Sequence, residues 1–196
     1  MNYPSGIKKQ RKKQNITKYN NRGMGLEEEI NSVNNFYIEK NIAIIYKKPT
    51  PIHIVKIDYK TKKNPIIREA FFEQPSTTDY NGIYKGFYLD FDVKETNNLS
   101  KFPLSNILKH QIDHLYKIWK NGGIAFMIIR FKVNFDTYMI TIEQLLNYIK
   151  KSEVKYIPKT FFDNNCHKIS YNYINKLDYI QIIDKFLEEK NEKKEH

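Results

Sequence analysis

The chain has 196 residues, 40% of them hydrophobic and 28% charged, which is enough apolar material for one sizeable core and excludes wholesale disorder. A formal net charge of +11 and a pI of about 9.4 favour a polyanionic partner, either nucleic acid or an anionic membrane surface. No run approaches the roughly 18 apolar residues of a transmembrane helix, the basic N-terminus lacks the apolar stretch of a secretory signal, and a single cysteine, Cys166, excludes an internal disulfide and points to a reducing cytoplasm.

From Met1 to Arg22 the basic residues Lys8, Lys9, Arg11, Lys12, Lys13, Lys18 and Arg22 meet no acid and no hydrophobic period. Residues 1–22 therefore read as a disordered basic arm that only binding would order. Leu26, Ile30, Val33 and Tyr37 then recur at helical spacing and predict a helix over about residues 25–40. "IAIIY" (Ile42–Tyr46) reads as a short buried strand closed by "KKPTP". Residues 52–59 and 66–73 read as two strands joined through the basic turn "KTKKNP". Together they predict a hairpin within residues 46–74 that can project from the main sheet. It carries Lys47, Lys48, Lys56, Lys60, Lys62, Lys63 and Arg68. An ordinary edge hairpin guarded by lysines against aggregation is the plainer alternative.

"TTDYNGIYKGFYLDFDVKE" reads as a strand, a glycine-containing turn and a second strand. Pro103 is expected to open a helix with the face Ile107, Leu108, Ile112, Leu115 and Trp119, stopped by Gly122 and Gly123. "IAFMIIRF" is a continuous apolar run, expected as a central strand buried on both faces. "TYMITI" predicts a further strand and "IEQLLNYIKK" a short helix. Weakly patterned residues follow, then a final helix near residues 178–190 and a charged tail at 191–196. The chain is α/β, a mixed sheet flanked by helices, with one domain over residues 23–190.

Chemistry concentrates in "YLDFDVKET", Tyr88 to Thr96. Strand alternation puts Asp90, Asp92 and Lys94 on one face and Phe91 and Val93 on the other. A half-exposed strand with a charged outer side would look like this, and so would a metal site with a lysine. Asp79 lies on the preceding strand, thirteen positions before Asp92, where a hairpin would let the two acids converge. A hard divalent ion such as Mg²⁺ takes oxygen ligands and keeps several waters. Two carboxylates, a backbone carbonyl and one neutral oxygen meet that requirement. Lys94 points into the same space, where an ammonium can orient or deprotonate water or neutralise a pentacovalent phosphate. This acid, acid, lysine spacing is the pattern of the PD-(D/E)XK nucleases.

Other residues are weaker candidates. Gln111 stands three and four residues from Leu108 and Leu115, so its amide is expected to face inward. Glu27 or Glu28 could reach the same ion, yet an acid at a helix N-terminus needs no metal to explain it. His110 and His114 have the i, i+4 spacing of zinc ligands with no third ligand in view. Cys166 reads as structural or incidental. The 15 Tyr and 12 Phe read mainly as core, although such rings also stack on unpaired bases.

The stretches "NRGMGLEEE", "KKPTP", "STTDYNGIYKG", "YLDFDVKET", "FPLSN" and "HQIDH", in that order from Arg22 to His114, and "LDYIQIID" near the C-terminus, resemble the RecU family of Holliday junction resolvases. The resemblance spans nearly all of the chain after the arm. It implies a restriction-endonuclease-like sheet with a projecting hairpin stalk that enters the open centre of a four-way DNA junction. It implies Asp79, Asp92 and Lys94 as catalytic residues, with Lys94 the transition-state stabiliser. Thr77 and Gln111 would join Asp79 and Asp92 around one or two Mg²⁺ ions, with Mn²⁺ as a substitute. The implied reaction is paired, in-line hydrolysis of like-polarity strands, leaving 5′-phosphate and 3′-hydroxyl ends. Arg22, Lys47, Lys48, Lys56, Lys62, Lys63 and Arg68 are the basic residues expected on DNA. A homodimer, a RecA-type recombinase as partner and a cytoplasmic, nucleoid-associated location complete the expectation. At one position the chain departs from the family pattern: Asp92 stands where glutamate is usual, one methylene shorter. A restriction-like duplex nuclease and a catalytically silent DNA-bridging protein are the rival readings, and the joint presence of Asp79, Asp92 and Lys94 weighs against silence.

Overall fold

The computed structural model describes residues 25–59, 65–72, 78–172, 174 and 176–192. The basic arm with Arg22, the turn residues Lys60, Lys62 and Lys63, Thr77, and residues 193–196 of the expected tail lie outside the described residues. In chain order come α1 (Leu26–Glu39), β1 (Ile44–Lys47), β2 (Ile52–Asp58), β3 (Ile66–Phe72), β4 (Tyr80–Tyr84), β5 (Phe87–Thr96) and β6 (Lys101–Pro103). A 3-10 turn at Leu104–Asn106 leads to α2 (Lys109–Lys120), β7 (Ile124–Phe131), β8 (Asp136–Thr141) and α3 (Ile142–Lys151). The chain continues through β9 (Tyr156–Pro158), α4 (Lys159–Asn165), β10 (His167–Lys168) and α5 (Ile180–Glu192).

The main sheet has six strands in the order β1-β4-β5-β7-β8-β10. β4 and β5 form a hairpin because Lys85 and Gly86 both take positive φ, 48° and 82°. Two such residues give a turn whose twist matches the strands. β5 and β7 run parallel, since the chain crosses over through α2 between them, and the other pairs of this sheet are antiparallel. At Gly82, β1 lies directly on β4: a Cβ there would stand 2.2 Å from the Ile44 carbonyl oxygen, so a strand glycine marks a close backbone approach.

Alternation divides the sheet into two faces with different coverings. Phe91, Val93, Phe126 and Ile128 pack with Leu26, Ile30, Val33 and Tyr37 of α1 and with Ile180, Ile183 and Leu187 of α5. Ala125, Met127, Ile129 and Ile140 face the other way and meet Leu115 of α2, Leu145 of α3 and Phe162 of α4. Asp90, Asp92 and Lys94 share this second face, opposite Ala125, Met127 and Ile129 in register. The expected charged outer side is therefore not solvated: Asp90 and Asp92 are both 0% exposed.

β2 and β3 pair only with each other among the described residues, as the hairpin of a separate two-stranded sheet. Several expectations need correction. The strand read as buried at Ile42–Tyr46 is an edge strand: Ile45 is buried, but Ile44 and Tyr46 are 51% and 59% exposed, because among the described residues no helix covers their face. Pro103 does not open a helix. It ends β6, which pairs with β9 and carries Phe102 and Ile157 into the core. Helix α2 begins at Lys109 instead, with the half-exposed Leu108 as its N-cap rather than on its buried face. The weakly patterned region holds β9, α4 and β10.

A buried ion pair fixes α1 to the sheet. Arg130 of β7 donates through Nη1 and Nη2 to the Glu29 carboxylate at 2.8 and 2.9 Å, and Tyr171 adds a hydroxyl at 2.8 Å. Both charged side chains are almost fully buried. Removing one partner strands the other charge in the core. Arg130→Leu is expected to destabilise the fold by roughly 3–5 kcal/mol, read as a lower urea midpoint at unchanged slope.

Candidate active site

The hairpin brings Asp79, just before β4, beside Asp92 in the middle of β5. Asp79 is positioned from both sides: the Lys48 backbone N–H donates to its carbonyl at 2.7 Å, and the Val93 N–H donates to its Oδ2 at 3.0 Å. Asp92 accepts hydrogen bonds from the Lys94 ammonium and from Gln111 Nε2. Burial pushes the Asp92 carboxyl up to about 7, Lys94 pulls it down, and the neighbouring Asp79 charge pushes it up again. A carboxylate in that state is short of positive charge.

Gln111 arrives with a definite orientation. Its Oε1 accepts from the Leu108 N–H at 3.2 Å, half of a capping box at the start of α2, while its Nε2 faces Asp92. To ligate a cation through oxygen, this amide must turn over. Glu27, at the start of α1, belongs to the same region. Burial raises the pKa of the Tyr80 hydroxyl, and the charges of Glu27, Asp79 and Asp92 add to that rise. Between the α1 N-terminus and Lys94 lies a cavity of about 370 Å³ lined by Gly25, Leu26, Glu27, Val93, Lys94 and Glu95.

No group of three or more His, Cys, Asp or Glu side chains forms a metal cage among the described residues. The donor set fits a different kind of ion. Two adjoining carboxylates, one of them held high in pKa by burial and by its neighbour, suit a hard divalent cation that keeps most of its waters. Zinc is disfavoured: His110 is exposed, while His114 turns its Nε2 to Asp90 at 3.1 Å. Burial pushes the Cys166 thiol up to about 12, so it is a poor ligand or nucleophile at neutral pH.

The basic residues separate into two groups. Lys56 is exposed on the hairpin, Arg68 is half exposed with a surface bond to Asp58, and Lys47 meets Glu27 at 2.5 Å at the surface. Lys48 turns inward instead, donating to Asp90 Oδ2 at 2.8 Å and to Thr78 Oγ1 at 2.5 Å. Asp90 is the residue whose role the sequence pattern left open. It also accepts from Thr78 and from the Tyr88 hydroxyl. Apart from Tyr88 on the same strand, its partners come from remote segments, so its position one alternation before Asp92 is the main local signal.

The mixed sheet thus brings together Asp79, Asp92 and Lys94, the three residues of the acid, acid, lysine pattern. Comparison with known proteins gives the family. The family model for RecU, "Recombination protein U", matches residues 21–185. The Holliday junction resolvase RecU of Oceanobacillus iheyensis is 44% identical over 193 residues, covering 94% of this chain and 98% of that protein. The resolvase of the same name from Geobacillus kaustophilus is 42% identical over 192 residues, covering 94% and 96%. The solved structure of the resolvase Hjc of Archaeoglobus fulgidus is similar only distantly, with a TM-score of 0.40 and 10% identity over 66% of this chain and 87% of that one. The chain belongs to the RecU family.

If Asp79 and Asp92 hold a divalent cation, adding one raises the melting temperature, because a ligand that binds only the folded state stabilises it, by about 2.7 kcal/mol at a hundred times its Kd. Thermal scans of wild type and of Asp79→Asn and Asp92→Asn, with and without Mg²⁺, check this. The increment is expected to vanish in both variants.

Proposed function

We propose that this protein is a divalent-metal-dependent Holliday junction resolvase, an endodeoxyribonuclease that makes paired nicks in like-polarity strands of four-way DNA junctions. The observation that carries the reading is the convergence of Asp79, Asp92 and Lys94 at the base of a hairpin that, among the described residues, joins no larger sheet. A bound divalent ion, Mg²⁺ with Mn²⁺ as substitute, supplies Lewis-acid charge at the phosphate and lowers the pKa of water. Asp79 and Asp92 would hold it, with Gln111 after its amide turns; Thr77, the remaining expected ligand, lies outside the described residues. Lys94 places an ammonium where negative charge grows on the phosphoryl group in the transition state. The α1 N-terminus bounds the same cavity with its positive dipole end.

DNA is gripped mainly through phosphates. Lys47, Lys56 and Arg68 are surface cations of the hairpin and its base; Arg22, Lys62 and Lys63, also expected on DNA, lie outside the described residues. Breaking the exposed Lys47–Glu27 pair costs little, so phosphate can replace Glu27. The hairpin, reaching between junction arms, reads shape rather than sequence. A RecA-type recombinase, whose action generates such junctions, supplies the substrate, in the cytoplasm at the nucleoid. No helix of the described residues is long and apolar enough to cross a membrane.

Paired nicks require two sites, and the chain carries one. Ile44, Ile83 and Tyr88 stand in one cross-strand row on the β1–β4 part of the acidic face, beyond the helices that cover its other half, and are 51%, 48% and 41% exposed. Such a patch suits a second copy across a two-fold axis.

On a mobile four-way junction with Mg²⁺, wild type is expected to nick two opposed strands and to spare a matched linear duplex, with no cutting in EDTA. Asp92→Asn is expected to abolish nicking while junction affinity stays within about threefold, since binding comes from Lys and Arg. Equal cutting of duplex favours a restriction-like enzyme. Binding by wild type without cutting favours a bridging protein. In solution at micromolar concentration the mass is expected to be twice 23.6 kDa, and Ile83→Glu is expected to halve it and to uncouple the two incisions.

A further inference from the structure

Asp90 lies two residues before Asp92, on the same strand face, and is fully buried. Its carboxylate is surrounded by donors: Lys48 Nζ at 2.8 Å, the Tyr88 hydroxyl at 3.0 Å and His114 Nε2 at 3.1 Å on Oδ2, and the Thr78 hydroxyl on Oδ1. Thr78 in turn accepts from Lys48 at 2.5 Å. A buried charge needs partners, but stability alone is poorly served by one, because a well-packed apolar set does as well or better. The origin of the partners is the informative point.

Each donor from outside β5 comes from a segment that also carries a part of the candidate site. Thr78 is next in the chain to Asp79. Lys48 not only reaches Asp90 but also holds the Asp79 carbonyl through its backbone N–H at 2.7 Å. His114 stands one helical turn after Gln111 on α2, so Asp90–His114 and Asp92–Gln111 are successive rungs between strand and helix. Lys48 and Thr78 also flank the hairpin, one before β2 and the other after β3. A shift of the hairpin therefore pulls on the segment that holds Asp79.

Building on the resolvase reading, we propose that Asp90 is a positioning residue. With Lys48, Thr78 and His114 it forms a clasp that locks both ends of the hairpin and helix α2 to β5, so that the seating of the hairpin sets where Asp79 and Gln111 stand. Lys48 acts within this clasp rather than on DNA. The clasp touches neither phosphate nor ion. It governs the rate of the bound complex and the affinity of the site for its cation, and leaves the grip on DNA unchanged.

The test uses full-length wild type, Asp90→Asn, Lys48→Met, their double variant and His114→Gln. Four readouts are taken: single-turnover cleavage of a saturating four-way junction, the Mg²⁺ concentration for half-maximal rate, junction affinity in Ca²⁺, and thermal unfolding. Each single change is expected to slow cleavage at saturation by about tenfold or more, since a displacement near 1 Å costs up to roughly 100-fold. Each also raises the Mg²⁺ requirement, with junction Kd within about threefold of wild type. The double variant is expected to be no slower than the slower single, because parts of one unit are not additive. Single variants that cut within about twofold of wild type overturn the proposal, as does a double variant whose losses multiply. A rate loss that merely follows the unfolded fraction on heating also overturns it. Should Asp90→Asn not fold, His114→Gln carries the same expectation, because that ring lies at the partly exposed rim. Failure of wild type to cut in any divalent cation refutes the resolvase reading itself; active wild type beside equally active variants refutes the clasp alone.

Discussion

Two carboxylates on one strand, paired on both sides and shielded from water, set the terms for the rest of this structure. Ionised groups in such a place must be matched by charge and hydrogen bonds. The requirement draws Lys48 from the β1–β2 connection, Thr78 from the approach to β4, and Gln111 and His114 from α2 onto β5. The two acids are matched unequally. Asp90 has a full set of donors, whereas Asp92 has Lys94 and an amide and faces the charge of Asp79. The first suits a structural part and the second a cation site, although they stand two residues apart.

The parallel pairing of β5 with β7 has a consequence for access. It requires a crossover, and the crossover places α2 over the β7 side of the acidic face. The β1–β4 side of that face receives no helix among the described residues, so Ile44, Ile83 and Tyr88 stay exposed. The site therefore lies where a covered half of the sheet meets an open half. On the opposite face, the Glu29–Arg130 pair holds α1 down and brings the α1 N-terminus to the rim of the same cavity. In a chain of net charge +11 the overall field favours phosphate, and the acids grouped at this site reverse it locally.

Legibility in the sequence followed the range of the interactions involved. "IEQLLNYIKK" coincides with α3, because a Thr141–Gln144 capping box and an apolar stripe are local signals. The hairpin of β4 and β5 was likewise readable from alternation and a glycine turn, which is why Asp79, Asp92 and Lys94 could be grouped. β6 and β9 escaped notice: each has three residues and owes its strand character to the other, far along the chain. The start of α2 differs from its expected place because Pro103, a good first helical residue, is equally suited to closing an edge strand.

The sequence alone determined the fold class, the order of most elements, the excess of positive charge and the face that carries the acids, since each rests on periodicity or composition. Tertiary structure decided which of those acids are buried, that Lys48 turns inward, that His114 serves Asp90 rather than zinc, and that β1 is an exposed edge. These outcomes depend on which remote segments pack together. A carboxylate's burial and partners are properties of the assembled sheet, and no local pattern around Asp90 encodes the lysine, the threonine and the histidine that hydrogen-bond it.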